Sequence, residues 1–335
     1  MKILINCNLP FSLAHGGHAV QIRQTIAAVQ SAGVEIEPLR WWDENQKGDV
    51  IHHFGRMTAG HIRFAHQKNI KVVMAELLSA QGSRSLRQLR TQRFISRTIE
   101  RFAPQTFVTP FNWESYRLAD GFIANTAWEK FLMEYLFGSE PQKVHVVPNG
   151  VEEVFFNSAR VPRGPWLVCT ATLTERKRVL ELSQAAVAAQ TPVWILGRAY
   201  GDEDPYSRKF LALAKANPQW IRFEGAINDR AELAKIYRAA RGFVLLSTME
   251  TRSLSAEEAV ACECPVLLSD LPWAHGTFPE GAQFCPVTDS IPATAAALRR
   301  FYDAAATLPP PPKPATWPEV GRQFVAVYEK ALAGR

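Results

Sequence analysis

Short apolar runs alternate along most of the chain with stretches in which apolar residues recur at helical spacing. Residues 2–6 read as a strand, and the Gly16-Gly17 pair opens a helical pattern over 18–32 that stops at Gly33. Strands follow at 34–39 and 50–53, then a helix at 60–67 and a strand at 71–75. An arginine-rich helix lies within 82–102, and 106–109 reads as a short β run. A buried strand at 122–125, a helix at 127–137 and a strand at 144–147 lead to Pro148-Asn149-Gly150. The pattern restarts after a polar stretch with proline and glycine at 157–165. Strands at 166–170, 192–196, 221–224, 243–246 and 265–269 alternate with helices at 178–189, 207–216, 230–240 and 256–262. Such alternation predicts parallel sheets with helices on both faces, and its restart predicts two α/β halves. The run LPPPPKP at 308–314 excludes helix interior and reads as a stiff connector before a last amphipathic helix at 318–333.

At 335 residues and 47% hydrophobic content, the chain has room for two domains with a core each. No apolar run approaches the roughly 20 residues of a membrane-spanning helix. The start MKILINCNLPF lacks the long apolar core and cleavage site of a secretory leader. Five cysteines, an odd number in a chain this long, suggest no disulfide framework. Cys262 and Cys264 flank Glu263 without a second pair nearby, so buried thiols are expected there rather than a metal site. A reducing cytoplasm suits this usage.

The net charge of +6 is uneven: residues 1–150 carry 17 basic against 12 acidic side chains, and residues 151–335 carry 21 against 20. Its focus is 82–102, where Arg90, Arg93, Arg97 and Arg101 share one helical stripe with Ile95, Ile99 and Phe102 roughly opposite. Two readings stay open: a solvated helix face, or a contact with an anionic membrane surface or a phosphorylated acceptor. Nucleic acid is not an expected partner, because no binding motif or aromatic interleaving accompanies the charge.

Candidate chemistry concentrates in FVLLSTMETRSLSAEEAVACECPVLLSD (243–270). Glu250 lies in the polar turn after a strand, and Glu258 near the start of the next helix. Ligands of open α/β sheets bind at the carboxyl ends of strands. Paired carboxylates there can accept from sugar and ribose hydroxyls, and a helix N-terminus between them can seat phosphate. A nucleotide-sugar carries all three groups. A structural role competes for Glu258, since Ser255-Ala256-Glu257-Glu258 fits a capping box with Ser255 as N-cap. Glu257 reads as a solvated neighbour that favours the helix dipole. His52 and His53 stand at the carboxyl end of a strand, as loop histidines or as acceptor contacts; metal binding lacks a third ligand.

ADGFIANTAWEKFLMEYLFG with QKVHVVPNGV (119–151), RFEGAINDRAELAKIYRAARGFVLLS (222–247) and then the Glu-x7-Glu pair occur in one order and spacing. In these segments the chain resembles the retaining nucleotide-sugar glycosyltransferases of the GT-B fold, in the large family that includes sucrose synthases and bacterial mannosyltransferases. The resemblance covers nearly the whole chain and is strongest over 118–270. It implies an α/β fold of two Rossmann-like domains whose parallel sheets face a central cleft. The acceptor domain would be 1–157, joined by a returning helix at 318–335, and the donor domain 158–317. It implies hexosyl transfer with retention from a nucleotide-diphosphate sugar to a glycan or lipid-linked acceptor, with no metal or other cofactor. Glu250 would then bind hydroxyls of the transferred sugar, Glu258 the ribose and Lys177 the diphosphate, whose charge grows as the bond breaks. Gly16 and Gly17 stand for the family's glycine pair, which brings backbone close to phosphate or sugar, and Gly197 would admit the base.

The chain also departs from the family pattern. Thr172 stands where the family has an arginine, and Arg178 where a glycine usually follows the lysine. Thr251, Arg252 and Ser253, ahead of Leu254, replace the glycines after the first glutamate, and Glu76-Leu77 replace a histidine. Arg178 and Arg252 are candidates to restore the lost diphosphate contacts. The departures also motivate a second class of function: a catalytically impaired nucleotide-sugar-binding or scaffold protein on the same fold.

Overall fold

The computed structural model describes residues 1–8, 16–156, 161–201 and 204–334. The chain divides into two compact units, Met1–Gly150 with Ala315–Arg335, and Val151–Pro314. The expected bounds at 157 and 317 fall slightly later along the chain, because Val151 and Phe155 are already buried in the core of the second unit. The polar stretch at 157–165 lies partly outside the described residues.

The first unit holds a six-stranded parallel sheet of β1 (Lys2–Cys7), β2 (Glu35–Pro38), β3 (Val50–Phe54), β4 (Lys71–Met74), β5 (Gly121–Ala124) and β6 (Val144–Val146), in the order β2-β1-β3-β4-β5-β6. Its longer helices are α1 (Gly17–Ser31), α2 (Ala59–Gln67), α3 (Leu86–Phe102) and α4 (Ala127–Phe137). Each element ends where local chemistry stops it. Thr126 caps α4 by accepting from the Glu129 amide, and Gly138 closes it in the left-handed conformation. The segment 106–109 is not a β run. Residues Gln105–Val108 form a helical turn and Thr109–Phe111 a 3-10 turn, started by Pro104 at the N-cap, so proline placement outweighs the β-branched composition.

The second unit repeats the plan with β7 (Leu167–Thr170), β8 (Val193–Leu196), β9 (Ile221–Phe223), β10 (Gly242–Leu245), β11 (Val266–Ser269) and β12 (Gln283–Cys285), ordered β12-β11-β10-β7-β8-β9. Around them lie α5 (Val179–Ala188), α6 (Pro205–Ala216), α7 (Arg230–Ala239), α8 (Leu254–Ala261) and α9 (Ile291–Ala304). β10 and β11 are buried at every residue, as apolar strands covered on both faces must be. β12 and α9 were not anticipated, because alternation weakens after residue 270 and α9 is rich in alanine. The proline run packs on this unit, where Lys313 pairs with Glu263 at 2.8 Å.

The last helix, α10 (Trp317–Leu332), belongs to the first unit and packs on α1. Gly321 permits that crossing, since any Cβ there would run into the backbone of Ala28. α10 also explains the two histidines. β3 is buried throughout, and His52 Nδ1 lies 2.8 Å from the Tyr328 hydroxyl of α10. His53 Nδ1 lies 2.9 Å from the Asn6 amide of β1. Both side chains therefore sit inside a strand in the core, not in a loop. Burial holds them far below the usual imidazole range, at about 3 for His52 and about 4 for His53.

Candidate functional site

In the second sheet the chain runs from β7 outward to β8 and β9, then returns to the other side of β7 as β10. The order therefore switches between β7 and β10. At such a point the loops leaving two adjacent strands diverge and leave a crevice beyond their carboxyl ends. Glu250 lies in the loop leaving β10, and Lys177 in the loop leaving β7, at the end of a 3-10 turn (Glu175–Lys177). The Thr248 amide ties the two loops by donating to the Arg176 carbonyl at 2.9 Å.

One carboxylate oxygen of Glu250 collects three donors. The Lys177 ammonium donates to it, the Arg176 guanidinium donates at 2.9 Å and the Ser247 hydroxyl at 2.7 Å. Glu250 and Lys177 are mostly buried, while Arg176 stays partly open to solvent. Two cations thus share one anion, which leaves a net positive charge at the mouth of the switch point. The structure brings Glu250 and Lys177 together and adds Arg176 and Ser247, which the sequence reading did not name. Arg176 was visible only as the neighbour of Lys177.

Glu258 lies on α8 and is buried. It does not cap that helix. Ser253 is the N-cap, accepting from the Ala256 amide, so α8 starts at Leu254 and Glu258 falls beyond the third helical position. Its partner is Arg230 of α7, whose Nη2 lies 2.5 Å away and whose Nε reaches Glu152 at 2.7 Å. The same guanidinium covers the Phe155 ring at 4.7 Å. Burial pushes the Glu258 carboxyl up to about 7; Arg230 opposes that rise, while the nearby Glu152 and Glu257 add to it.

Residues 151–308 match the profile of the glycosyl transferases group 1 family. The matched segment, just under half of the chain, makes the second unit similar to a group 1 glycosyltransferase domain. A D-inositol 3-phosphate glycosyltransferase of Catenulispora acidiphila is 28% identical over 250 residues, which is 64% of this chain and 58% of that relative. Less than two thirds of that relative's length is therefore represented. The sucrose-phosphate synthase of Thermosynechococcus elongatus shares the fold, with a TM-score of 0.67 at 17% identity and full coverage of both chains. The pneumococcal O-GlcNAc transferase GtfA, solved with UDP and GlcNAc, gives 0.60 at 16% identity over 91% of this chain and 59% of that one.

The same loops show what the chain's departures from the family pattern do. Arg178 has φ +53°, a left-handed conformation that favours glycine and accounts for the family's usual residue there. Its side chain is buried and donates to the Thr288 carbonyl at 2.5 Å. The cation beside Lys177 on Glu250 is Arg176, while Arg178, a candidate diphosphate contact from the sequence, turns to Thr288. Thr172 is half-buried in the same loop. Glu257 is not a solvated neighbour: it is fully buried, and Arg252 Nε and Nη2 reach one of its oxygens at 2.6 and 2.5 Å. Arg252 thus anchors the Glu250 loop onto α8. Leu254 opens α8 and is partly exposed, and Ser253 holds its cap. At Gly197 a Cβ would overlap the Ala171 carbonyl, so the glycine is required by backbone crowding between two strand ends.

Cys169, Cys262, Cys264 and Cys285 are buried, and burial pushes the first three thiols up to about 12. Among the described residues, no group of three or more His, Cys, Asp or Glu side chains is placed to hold a metal. In the first unit, Gly16 is the N-cap of α1 with φ +137°, which strains any other residue, and Gly17 starts the helix. Glu76, where the family has histidine nearby, is paired with Arg56 at 2.8 Å and accepts from the Tyr116 hydroxyl at 2.6 Å.

Proposed function

We propose that the chain is a retaining glycosyltransferase that moves a hexosyl unit from a nucleotide-diphosphate sugar to a glycan or lipid-linked acceptor. The observation that carries this reading is the Glu250 carboxylate shared by Lys177 and Arg176 at the β7/β10 switch point of a unit similar to a group 1 domain. A diphosphate brings more negative charge than one carboxylate, so it competes for both cations. Glu250 is then released from part of its charge pairing and can accept from sugar hydroxyls. The family's roles extend this reading: Glu258 takes the ribose hydroxyls, and the acceptor falls to the first unit.

In the proposed reaction the bond from the anomeric carbon to the phosphate oxygen breaks as the acceptor oxygen attacks the same face. The acceptor proton passes to the departing phosphate oxygen. Charge that grows on the diphosphate is stabilised by Lys177 and Arg176, which favour the transition state over the ground state. These protein cations take the part that a metal plays in other transferases. The UDP of the GtfA structure and the acceptor named for the Catenulispora relative support a nucleotide-sugar donor and a hydroxylated acceptor.

A second reading, binding without turnover, is favoured by Thr172 in place of a cation. Chromatographic assay of transfer and hydrolysis across a panel of nucleotide-sugars separates the two. Turnover that falls about a hundredfold or more in Glu250→Gln supports the transferase. Saturable donor binding with no product from any donor supports the second reading.

A further inference from the structure

The helix α3 and the segment after it form a surface that the donor site does not use. Residues 79–113 contain six arginines and a single acidic residue, Glu100. Glu100 is paired with Arg117 at 2.6 Å, which leaves the face one-signed. Only Leu89 of α3 is buried. Around the arginines stand large apolar side chains in solvent: Phe94 is 73% exposed, Phe102 76%, Phe107 57% and Ile95 50%. An open groove of about 340 Å³ is lined by Ile95, Ile99, Phe111 and Trp113 together with Arg84 and Gln88.

A merely solvated helix face explains the arginines but leaves the phenylalanines costly, since each exposes surface that water disfavours. α3 has 17 residues and runs for about 25 Å. Arg87, Arg90, Arg97 and Arg101 are exposed along it with Phe94 on the same face, and the exposed Ile95 and Phe102 lie further round the helix. Long arginine stems reach up to phosphates while their apolar parts stay low. Among the described residues no helix is long and apolar enough to cross a membrane, so such a face suits contact in the plane of a surface.

We infer that α3 and residues 103–111 dock on an anionic phospholipid bilayer. The arginines contact headgroup phosphates, Phe94, Phe102 and Phe107 enter the headgroup–acyl boundary, and the groove takes apolar lipid surface. This surface stands on its own observations and does not rest on the transferase reading.

The test is sedimentation of the purified full chain with vesicles of phosphatidylglycerol and phosphatidylcholine, and with vesicles of phosphatidylcholine alone. Binding is expected to the anionic vesicles, weakening with salt, and to be slight with the neutral ones. Each arginine near an anionic surface is worth about fivefold, so Arg90→Gln/Arg97→Gln lowers partitioning about thirtyfold. Phe94→Ser/Phe102→Ser lowers it at least about tenfold at the same charge. All four side chains are on the surface, so a thermal unfolding curve matching wild type confirms that each variant is folded. Binding to neither vesicle, equal binding to both, or full binding by both double variants overturns the inference. So does a wild-type dimer that the phenylalanine variant dissociates while vesicles bind nothing, which assigns the face to a second copy.

Discussion

Arg252 gives the sharpest quantitative test of how the site loop is held. Its Nε and Nη2 both meet one oxygen of Glu257, a residue with 0% exposure, and the other Glu257 oxygen is buried without a hydrogen-bond partner among the described residues. Burial already raises the Glu257 carboxyl, and Arg252 is what opposes that rise. Arg252→Met removes the cation, so the carboxyl stays protonated in the native state. An unfolded glutamate ionises near pH 4.3, and holding it protonated at pH 7 costs about 3.7 kcal/mol, from about 1.4 kcal/mol per unit. That agrees with the about 3–5 kcal/mol typical of breaking a buried pair. The sign follows from linkage: above pH 4.3 the unfolded chain loses a proton that the native chain keeps, so stability falls as pH rises. Urea unfolding from pH 5 to 8 is expected to show the variant losing about 1.4 kcal/mol per pH unit across the range, extending the shallower wild-type loss. Arg252→Met/Glu257→Leu is expected to recover most of the deficit, because a packed apolar pair replaces a buried ionic one at little cost. A variant curve that overlays wild type, or a double variant as unstable as the single, refutes this account of the loop.

Thr172→Arg is expected to raise turnover in a transfer assay, by restoring a cation to a loop whose Lys177 and Arg176 are already in place; unchanged turnover shows that the loop has lost the geometry for it. Arg176→Gln is expected to lower kcat by about tenfold or more with little change in melting temperature, and an unchanged kcat removes Arg176 from the site. His52 and His53 titrate in the folded state near 3 and 4. The unfolded chain therefore takes up protons first as pH falls below about 6.5, and stability drops by up to about 2.7 kcal/mol per unit toward pH 4. His52→Gln is expected to reduce that slope by about half in acid unfolding. Glu250→Gln is expected to leave stability within about 1 kcal/mol of wild type, because Ser247, Lys177 and Arg176 can still donate to an amide oxygen.

The alternation of apolar runs exposed both sheets, since buried parallel strands such as β10 and β11 must be apolar on both faces and long enough to see. Short elements with proline or alanine were hidden: Pro104 turned 106–109 helical, and α9 lacks a strong apolar period. Lys177 and Glu250 were legible because each follows a strand, where ligands of such sheets bind. Arg230 was not, since nothing local links it to Glu258, 28 positions away. Ser255 and Glu258 fitted a cap that Ser253 fills, because two serines compete for one helix start and the sequence does not say which Cα turns first. Glu257 looked solvated only because its cation lies on the loop before it, and His52 looked exposed because its partner Tyr328 returns from the far end of the chain.

The central claim is that the second unit seats a nucleoside diphosphate between the loops leaving β7 and β10. Calorimetric titration of wild type and Lys177→Met with a panel of nucleoside diphosphates and the matching nucleosides tests it most directly. The account predicts that at least one diphosphate binds wild type and loses about tenfold or more in affinity in the variant, while nucleoside binding is unchanged. Equal affinity of both proteins for every diphosphate that binds contradicts it.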